Sequence, residues 1–387
     1  MRNIILFDPI KARQELLPLT YTRPVAMIRF GITTMLEKWQ RAIEGTYSFE
    51  TQDYLSIKYP LTLSPDGDDT HIAANICPDP ELVDAILALR PEESLITGDG
   101  TTIAYRGNGE GDKICYNGSP LAINRIWEIF MLNDEALRRD FTALTAGRSS
   151  QHLSDSCRLI GDPANLFIEE GAVVEGAIIN VAKGPVYIGR HAEIMEGACL
   201  RGPIALCEHS VINMGAKIYG ATTLGPHCKV GGELNNVVMT GYSNKAHDGF
   251  LGNAVIGEWC NLGAGCTASN LKNTYGSIKL WSIAEDRFIK TGLQFCGLIM
   301  GDHSKAGINT MFNTATMVGV GVNFYGPGFP RTYLPSFTQG STAGMHDMDM
   351  DAFFETASKV MARRDISLTE IDKEILLTLR QRLFDVS

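Results

Sequence analysis

The sequence predicts a two-part chain, an α/β layer followed by a parallel β-helix with helices at its C-terminal end. Three observations predict it. From Ile188 to Val230 every sixth residue is a branched aliphatic: Ile188, Ile194, Leu200, Leu206, Ile212, Ile218, Leu224 and Val230. Two positions before these the side chains are mostly small, as at Ala192, Ala198, Ser210, Ala216, Thr222 and Cys228. Residues 1 to about 150 lack this period and instead alternate short apolar runs with stretches of helical spacing.

A period of six belongs neither to a helix nor to a plain strand. One inward aliphatic per six residues fits a chain that turns after each short strand, so that three repeats close one triangular coil. Coils then stack at about 4.8 Å, the spacing of hydrogen-bonded strands. Aliphatics fill the narrow interior, and small residues occupy the tight corners, where Gly189, Gly225 and Gly231 directly follow an aliphatic. The pattern begins loosely near Ile160 and Gly161 and keeps its period at Ile168 and Val174. After Val230 it breaks through GGELNNVVMTGYSNKAHDG, and it is expected to resume at Phe250, Ile256 and Leu262. Such a break reads as an insertion on one face, where solenoids often carry binding loops. Beyond Leu262 the expected inward positions are Ile283, Ile289 and Phe295, with the pattern fading near Val322.

In the first part, Asn3 to Phe7 reads as a buried strand ending at Asp8. Ile32, Met35, Leu36, Trp39 and Ile43 share a helical face, and Asp79-Pro80 opens a second helix as an N-cap followed by a first-turn proline. Glu93 to Thr97 reads as another strand. The polar run Gly147 to Ser156 separates the two textures. At the far end Phe353, Ala357, Val360 and Met361 mark one helix, and the capping box Ser367-Leu368-Thr369-Glu370 starts a second. Open solenoid ends expose strand edges, so these helices are expected to cap the coils or to form a contact between protomers. The expected domains are 1–146 (α/β), 147–158 (linker), 159–330 (β-helix) and 331–387 (exit segment and capping helices).

Composition narrows the function. The formal charge of −10 over 387 residues argues against nucleic acid, whose phosphates need clustered Lys and Arg. No apolar run approaches a membrane span and no signal pattern opens the chain, so a cytoplasmic protein without a membrane partner is expected. Nine cysteines without CxxC spacing read as reduced thiols. His191, His209 and His227 are one full coil apart and should stack on one corner. No carboxylate or cysteine repeats beside them, so no metal site is expected there.

The motifs LLPLTYTRPV, INRIWEIF, GYSNKAHDGFLGNAVIGEWCNLGAG and SNLKN carry a family resemblance. The chain resembles the hexapeptide-repeat acyltransferases, and among them the bifunctional N-acetylglucosamine-1-phosphate uridyltransferase/glucosamine-1-phosphate acetyltransferase family. The closer likeness is to a short-headed bacterial variant of that enzyme, a sugar nucleotidyltransferase. The resemblance implies a left-handed parallel β-helix, a reduced nucleotidyltransferase-like head and a homotrimer. It also implies acetyl-CoA as cofactor, and a nucleoside triphosphate with Mg²⁺ at the head.

Acyl transfer to an amine needs a base with a pKa near neutrality, because an ammonium group must lose a proton before it attacks a thioester. His247 is the candidate, and the resemblance makes it the general base; the alternative is a loop histidine bonded to a backbone carbonyl. By resemblance Asn261 and Asn270 contact the sugar and the cofactor side, and Gly263, Ala264 and Gly265 let coenzyme A approach the backbone, with corner packing as their alternative. Lys245 is placed on the substrate and Lys272 on coenzyme A phosphates; either lysine could instead be solvated. The chain departs from the family where a tyrosine becomes Phe250, another becomes Leu271, and a phosphate-binding lysine becomes Asn235; Asn235 and Phe250 are retained as substrate contacts. In the head, Arg13, Thr20 and Arg23 are the nucleotide-binding candidates, with a surface loop and Arg23 paired to a carboxylate as the alternative; no glycine lies between Asp8 and Arg29 to let a triphosphate approach the backbone.

These readings together imply an acetyl-CoA-dependent N-acetyltransferase acting on a hexosamine 1-phosphate, with a head that forms the nucleotide sugar. One alternative is a sugar-1-phosphate nucleotidyltransferase whose β-helix serves only assembly. Another is a non-catalytic sugar-nucleotide-binding module. The glycine-poor loop counts against the first alternative, and His247 within SNKAHDGF against the second.

Overall fold

The structure, a computed structural model, describes residues 2–384. The chain divides into one unit of Met1–Ile28, Thr33–Ile126 and Glu370–Ser387, and a second of Arg29–Ile32 and Trp127–Thr369. The first unit is built on a six-stranded sheet in the order Gly45–Glu50, Arg2–Phe7, Thr70–Ala73, Thr102–Arg106, Ser94–Ile96, Lys113–Cys115. Its first three strands are parallel, and Thr102–Arg106 runs antiparallel to both neighbours. Ile4, Ile5 and Leu6 are wholly buried. The helix Met35–Ala42 starts from a Thr34–Glu37 capping box and buries Trp39, while Pro80–Leu87 starts where Asp79 accepts from the Leu82 N–H.

The second unit contains a parallel β-helix. Its three faces are ladders in which each inward residue lies over its counterpart in the next coil. On the first face Ile168, Ile188, Leu206 and Leu224 align; on the second, Val174, Ile194, Ile212 and Val230; on the third, Ile179, Leu200 and Ile218. All eight aliphatics of the strict period therefore point inward, and together they form one apolar core. The small residues Ala192, Ala198, Ser210, Ala216, Thr222 and Cys228 are wholly buried at the turns. All nine cysteines are free thiols, and burial pushes Cys228 and Cys260 up to about 12.

The expected break after Val230 is no insertion. Leu234 continues the third face, Met239 the first and Lys245 the second, each paired with the coil before it. The coil is shortened, and one strand, Glu233–Gly241, runs through the corner that earlier coils turn. Shortening erases the six-residue period while leaving the stack intact. In the following coil the inward residue is Leu251, not Phe250. The insertion comes later: after Ala268 the chain leaves the stack, forms the antiparallel hairpin Lys279–Ser282/Arg287–Lys290, and returns through a Leu271–Phe295 bridge. Ile283 and Ile289 therefore belong to that excursion, and Phe295 is 43 % exposed. The interior resumes at Met300, Ala306, Phe312, Val318 and Phe324 and reaches Leu334 beyond the expected fade.

The first face is covered on its outer side as well. The helix Asn133–Thr145 packs Leu137 and Phe141 on Phe167, Ala205 and Ala221. Asn133 donates to the Ala221 carbonyl and accepts from the Gly31 N–H, and Asp140 accepts from the Ile32 N–H. Gly31 sits at φ +75, and a Cβ there would lie 2.6 Å from Asp140 Oδ2. The helix and residues 29–32 are thus part of the solenoid unit, which also contains the expected linker.

At the corner joining the first face to the second, His191, His209, His227, Tyr242, Trp259 and His303 form one column. Each has a left-handed φ between 54 and 60. Successive rings stack at 5.1, 4.8, 5.1, 4.3 and 6.4 Å. The expected histidine trio is the first half of this column. Phe353, from the helix Met350–Ala362, meets His303 edge-on at 5.7 Å. The last helix, Glu370–Phe384, falls in the other unit, where Asp372 pairs with Lys58 and Arg382 with Asp53. Among the described residues no helix is long and apolar enough to cross a membrane.

Two tests follow from this packing. Ile212→Asp places an unpaired charge inside the tube, at a cost of several kcal/mol, and should be recovered as insoluble protein. The control is Met214→Asp, at a side chain 71 % exposed, since the neighbouring Asn213 donates to the Ala246 carbonyl at 2.7 Å. Equal solubility of the two variants would overturn the register.

The second test uses the histidine column. Burial, then the charge of His209, then that of Arg364, hold His227 below its ordinary value, with Glu208 opposing. The folded state thus binds this proton more weakly than the unfolded state. The stabilisation is complete above the unfolded pKa of about 6.5 and is lost as pH falls through the lower folded value. His227→Phe keeps a ring in the column, as Phe337 does at φ 56 on the same corner. The drop in urea midpoint from pH 8 to pH 5 should be smaller in this variant than in the wild type; an equal drop would remove His227 from the pH response.

Candidate functional site

The corner joining the second face to the third runs from an inward residue to a residue of left-handed φ: Ile212 to Gly215, Leu262 to Gly265, Ala306 to Asn309. From Lys245 the left-handed residue, Gly249, comes one position later, although the spacing to the next inward residue, Lys245 to Leu251, is six residues as from Ile212 to Ile218. His247 and Asp248 are both exposed at this corner. Gly249 brings the chain back at φ +123, where a Cβ would lie 2.0 Å from the Cys266 carbonyl oxygen, so only glycine closes this turn. The Gly265 N–H donates to the Asp248 carbonyl at 3.0 Å, which ties this corner to the next coil.

Lys245 does not face outward. It occupies the inward position between Val230 and Leu262 and is 0 % exposed. Its Nζ donates to the backbone carbonyls of His247 and Asp248. Burial lowers its pKa, opposed by Cys266 and Asp248. The expected substrate contact is thus replaced by an anchor beneath the turn.

The other predicted residues fall into neighbouring groups. Gly263, Ala264 and Gly265 form the same corner one coil beyond His247, and Ala264 is exposed. A Cβ on Gly263 would lie 2.7 Å from the Ile308 nitrogen, and one on Gly265 2.1 Å from Asn309 Oδ1, so coil packing by itself requires both glycines. On the coil after His247 this corner consequently carries nothing larger than the Ala264 methyl group. Phe250 and Asn235 lie on the adjoining third face, aligned with Glu233 and Gly252. Asn270 is at the far end of that face and donates to Asn253 Oδ1 at 2.8 Å. Lys272 opens the insertion, with Nζ held 2.8 Å from the Ser277 carbonyl. Asn261 stands exposed on the second face, paired with Asn244 and Lys305.

The head candidates are committed to their own loop. Thr20 is wholly buried and donates to the Arg13 carbonyl at 2.7 Å; Arg13 Nη2 donates to the Thr20 carbonyl at 2.9 Å and to Tyr54 Oη at 3.2 Å. Arg23 is buried as well. Asp8, at the end of the first strand, accepts from Thr51 Oγ1 and from the Val25 N–H, yet burial raises it to about 6. Among the described residues no group of three or more His, Cys, Asp or Glu could hold a metal ion.

Two features escaped the sequence. The displaced left-handed residue at the His247 corner was hidden because the shortened coil before it obscures the register. Tyr242, Trp259 and His303 were legible in principle: like the three histidines, each aromatic is followed directly by a small residue, Ser243, Cys260 and Ser304.

Residues 4–149 match the profile of the sugar nucleotidyl transferase family. No curated protein sequence matches the chain. Among solved structures, it is similar to AntD, an N-acyltransferase from Bacillus cereus in complex with dTDP and 3-hydroxybutyryl-CoA, at 12 % identity and a TM-score of 0.22, covering 54 % of this chain and 92 % of that one. It is also similar to PerB from Caulobacter crescentus in complex with CoA and GDP-perosamine, at 11 % identity and a TM-score of 0.12, covering 61 % and 84 %. Scores this low leave the functional argument to the residues of this chain.

Proposed function

We propose that this chain is an acyl-CoA-dependent N-acyltransferase acting on an amino sugar that carries a phosphate or a nucleotide. The observation that supports it is His247 exposed at a corner whose left-handed residue is displaced by one position, held from beneath by Lys245 and bordered by Gly263 and Ala264. A histidine held only by packing would not need such a turn. Acetyl transfer to a hexosamine 1-phosphate is the specific form of the reaction suggested by the SNKAHDGF and SNLKN motifs.

An acyl thioester would supply the activated carbonyl. His247 takes the proton from the acceptor amine as its nitrogen forms the amide bond, and the imidazolium can return that proton to the departing thiolate. The small residues beside His247 leave room for the donor along the corner. Asn261, exposed on the second face, and Asn270, paired with Asn253, offer amide groups to sugar hydroxyls.

With acetyl-CoA and a panel of hexosamine 1-phosphates and nucleotide-linked amino sugars, thiol release should depend on the acceptor amine. His247→Ala should lower that rate by roughly 10² to 10⁴, the usual contribution of a positioned general base. Its melting temperature should stay near the wild-type value, because the side chain fills no core position. An unimpaired rate in folded His247→Ala would remove the residue from the mechanism.

The family match over residues 4–149 favours a second reading, nucleotidyl transfer by the first unit. Pyrophosphate release from a nucleoside triphosphate and a sugar 1-phosphate, unchanged in His247→Ala, is the expected sign of it. Thr20 and Arg13, bonded to one another, would then have to separate to admit the nucleotide. If no pairing of triphosphate and sugar 1-phosphate releases pyrophosphate, this reading falls.

A further inference from the structure

We infer that Lys245 is the positioning residue of His247, an ammonium anchor inside the solenoid that holds the exposed turn in one conformation. The inference rests on the acyl-transfer reading for its functional consequence, but its structural half stands on geometry alone. Everywhere else along the second face, from Val174 through Val230 and again from Leu262 to Phe324, the inward residue is apolar. The exception falls at the corner where Gly249 stands one position late. There the carbonyls of His247 and Asp248 lie within reach of the interior, and the Asp248 carbonyl also accepts from the Gly265 N–H. A backbone carbonyl turned into an apolar tube without a donor loses its hydration uncompensated. The Lys245 ammonium donates to both oxygens, and Gly249 packs so closely that a Cβ there would sit 3.1 Å from Nζ.

The arrangement separates stability from function. A lysine at an aliphatic position carries the desolvation cost of a buried charge, and burial correspondingly lowers its pKa. An aliphatic residue would suit the tube better but would release the turn. His247 makes its presentation to the acceptor through the backbone of residues 246–249, so freedom there misplaces the imidazole. Misplacement by about 1 Å can cost as much as 10²-fold in rate.

The test is Lys245→Met, similar in volume and apolar. The variant should melt no lower than the wild type, since a well-packed apolar side chain commonly replaces a buried charge without loss. Amide hydrogen exchange at residues 246–249 should accelerate, and kcat for acyl transfer should fall roughly 10- to 100-fold while both KM values change less than about threefold. Lys245→Gln, which keeps two N–H donors on a shorter arm, should recover part of both losses. Unchanged exchange in Lys245→Met overturns the inference, and so does faster exchange with unchanged kcat in an enzyme that depends on His247. Should Lys245→Met prove insoluble, Lys245→Gln decides by the same exchange readout: turn protection close to wild type supports the anchor, and protection lost altogether overturns it. If His247→Ala retains full acyl transfer, the functional reading fails by itself, and exchange at residues 246–249 still decides whether Lys245 holds the turn.

Discussion

Stacking of one coil on the next is the constraint on which the rest of the solenoid depends. Within a parallel β-helix the backbone groups of a coil find their partners in the coils before and after it, so equivalent positions must lie over one another. Side chains consequently form columns. The aliphatic ladders through Ile188, Ile194 and Leu200 are columns inside the tube, and the stacked rings from His191 to His303 are a column on its edge. A residue that breaks its column must be compensated locally, because the backbone on either side cannot move without parting from its neighbours.

The candidate site is such a local compensation. In the turn before Gly249 the left-handed residue is displaced by one position, and the interior answers with Lys245 in place of an aliphatic. The coil before it has a shorter corner, Val230 to Gly232, and the coil after it keeps the ordinary one, Leu262 to Gly265, with the Asp248 carbonyl bonded to Gly265. A general base benefits from this, since its contribution depends on a fixed distance to the proton it removes. Polar groups buried against the first face follow the same rule: Asn133 and Asp140 are enclosed only because the backbones of Gly31, Ile32 and Ala221 satisfy them.

The head shows how a loop can carry the residue types of a binding site without presenting them. Arg13 and Thr20 exchange bonds through each other's backbone carbonyls across the loop that follows the first strand. That segment contains no glycine.

Local rules were legible in the sequence wherever they repeated without change. The strict period from Ile188 to Val230, the stacking of His191, His209 and His227, and the cap at Asp79 each depend on neighbours a few residues or one regular coil away. The motif around His247 stood out because it is contiguous. Tertiary structure alone decided what happens where coil length varies. It placed Leu251 rather than Phe250 inside, turned Ile289 and Phe295 out into the hairpin excursion, and joined the helix Asn133–Thr145 to the solenoid. It also turned Lys245 inward, which no polarity pattern would suggest, because the partners that make its burial tolerable are backbone carbonyls. Pairing between coils is made through space, so a residue gained or lost in a turn shifts every later position in the sequence while leaving the stack unchanged.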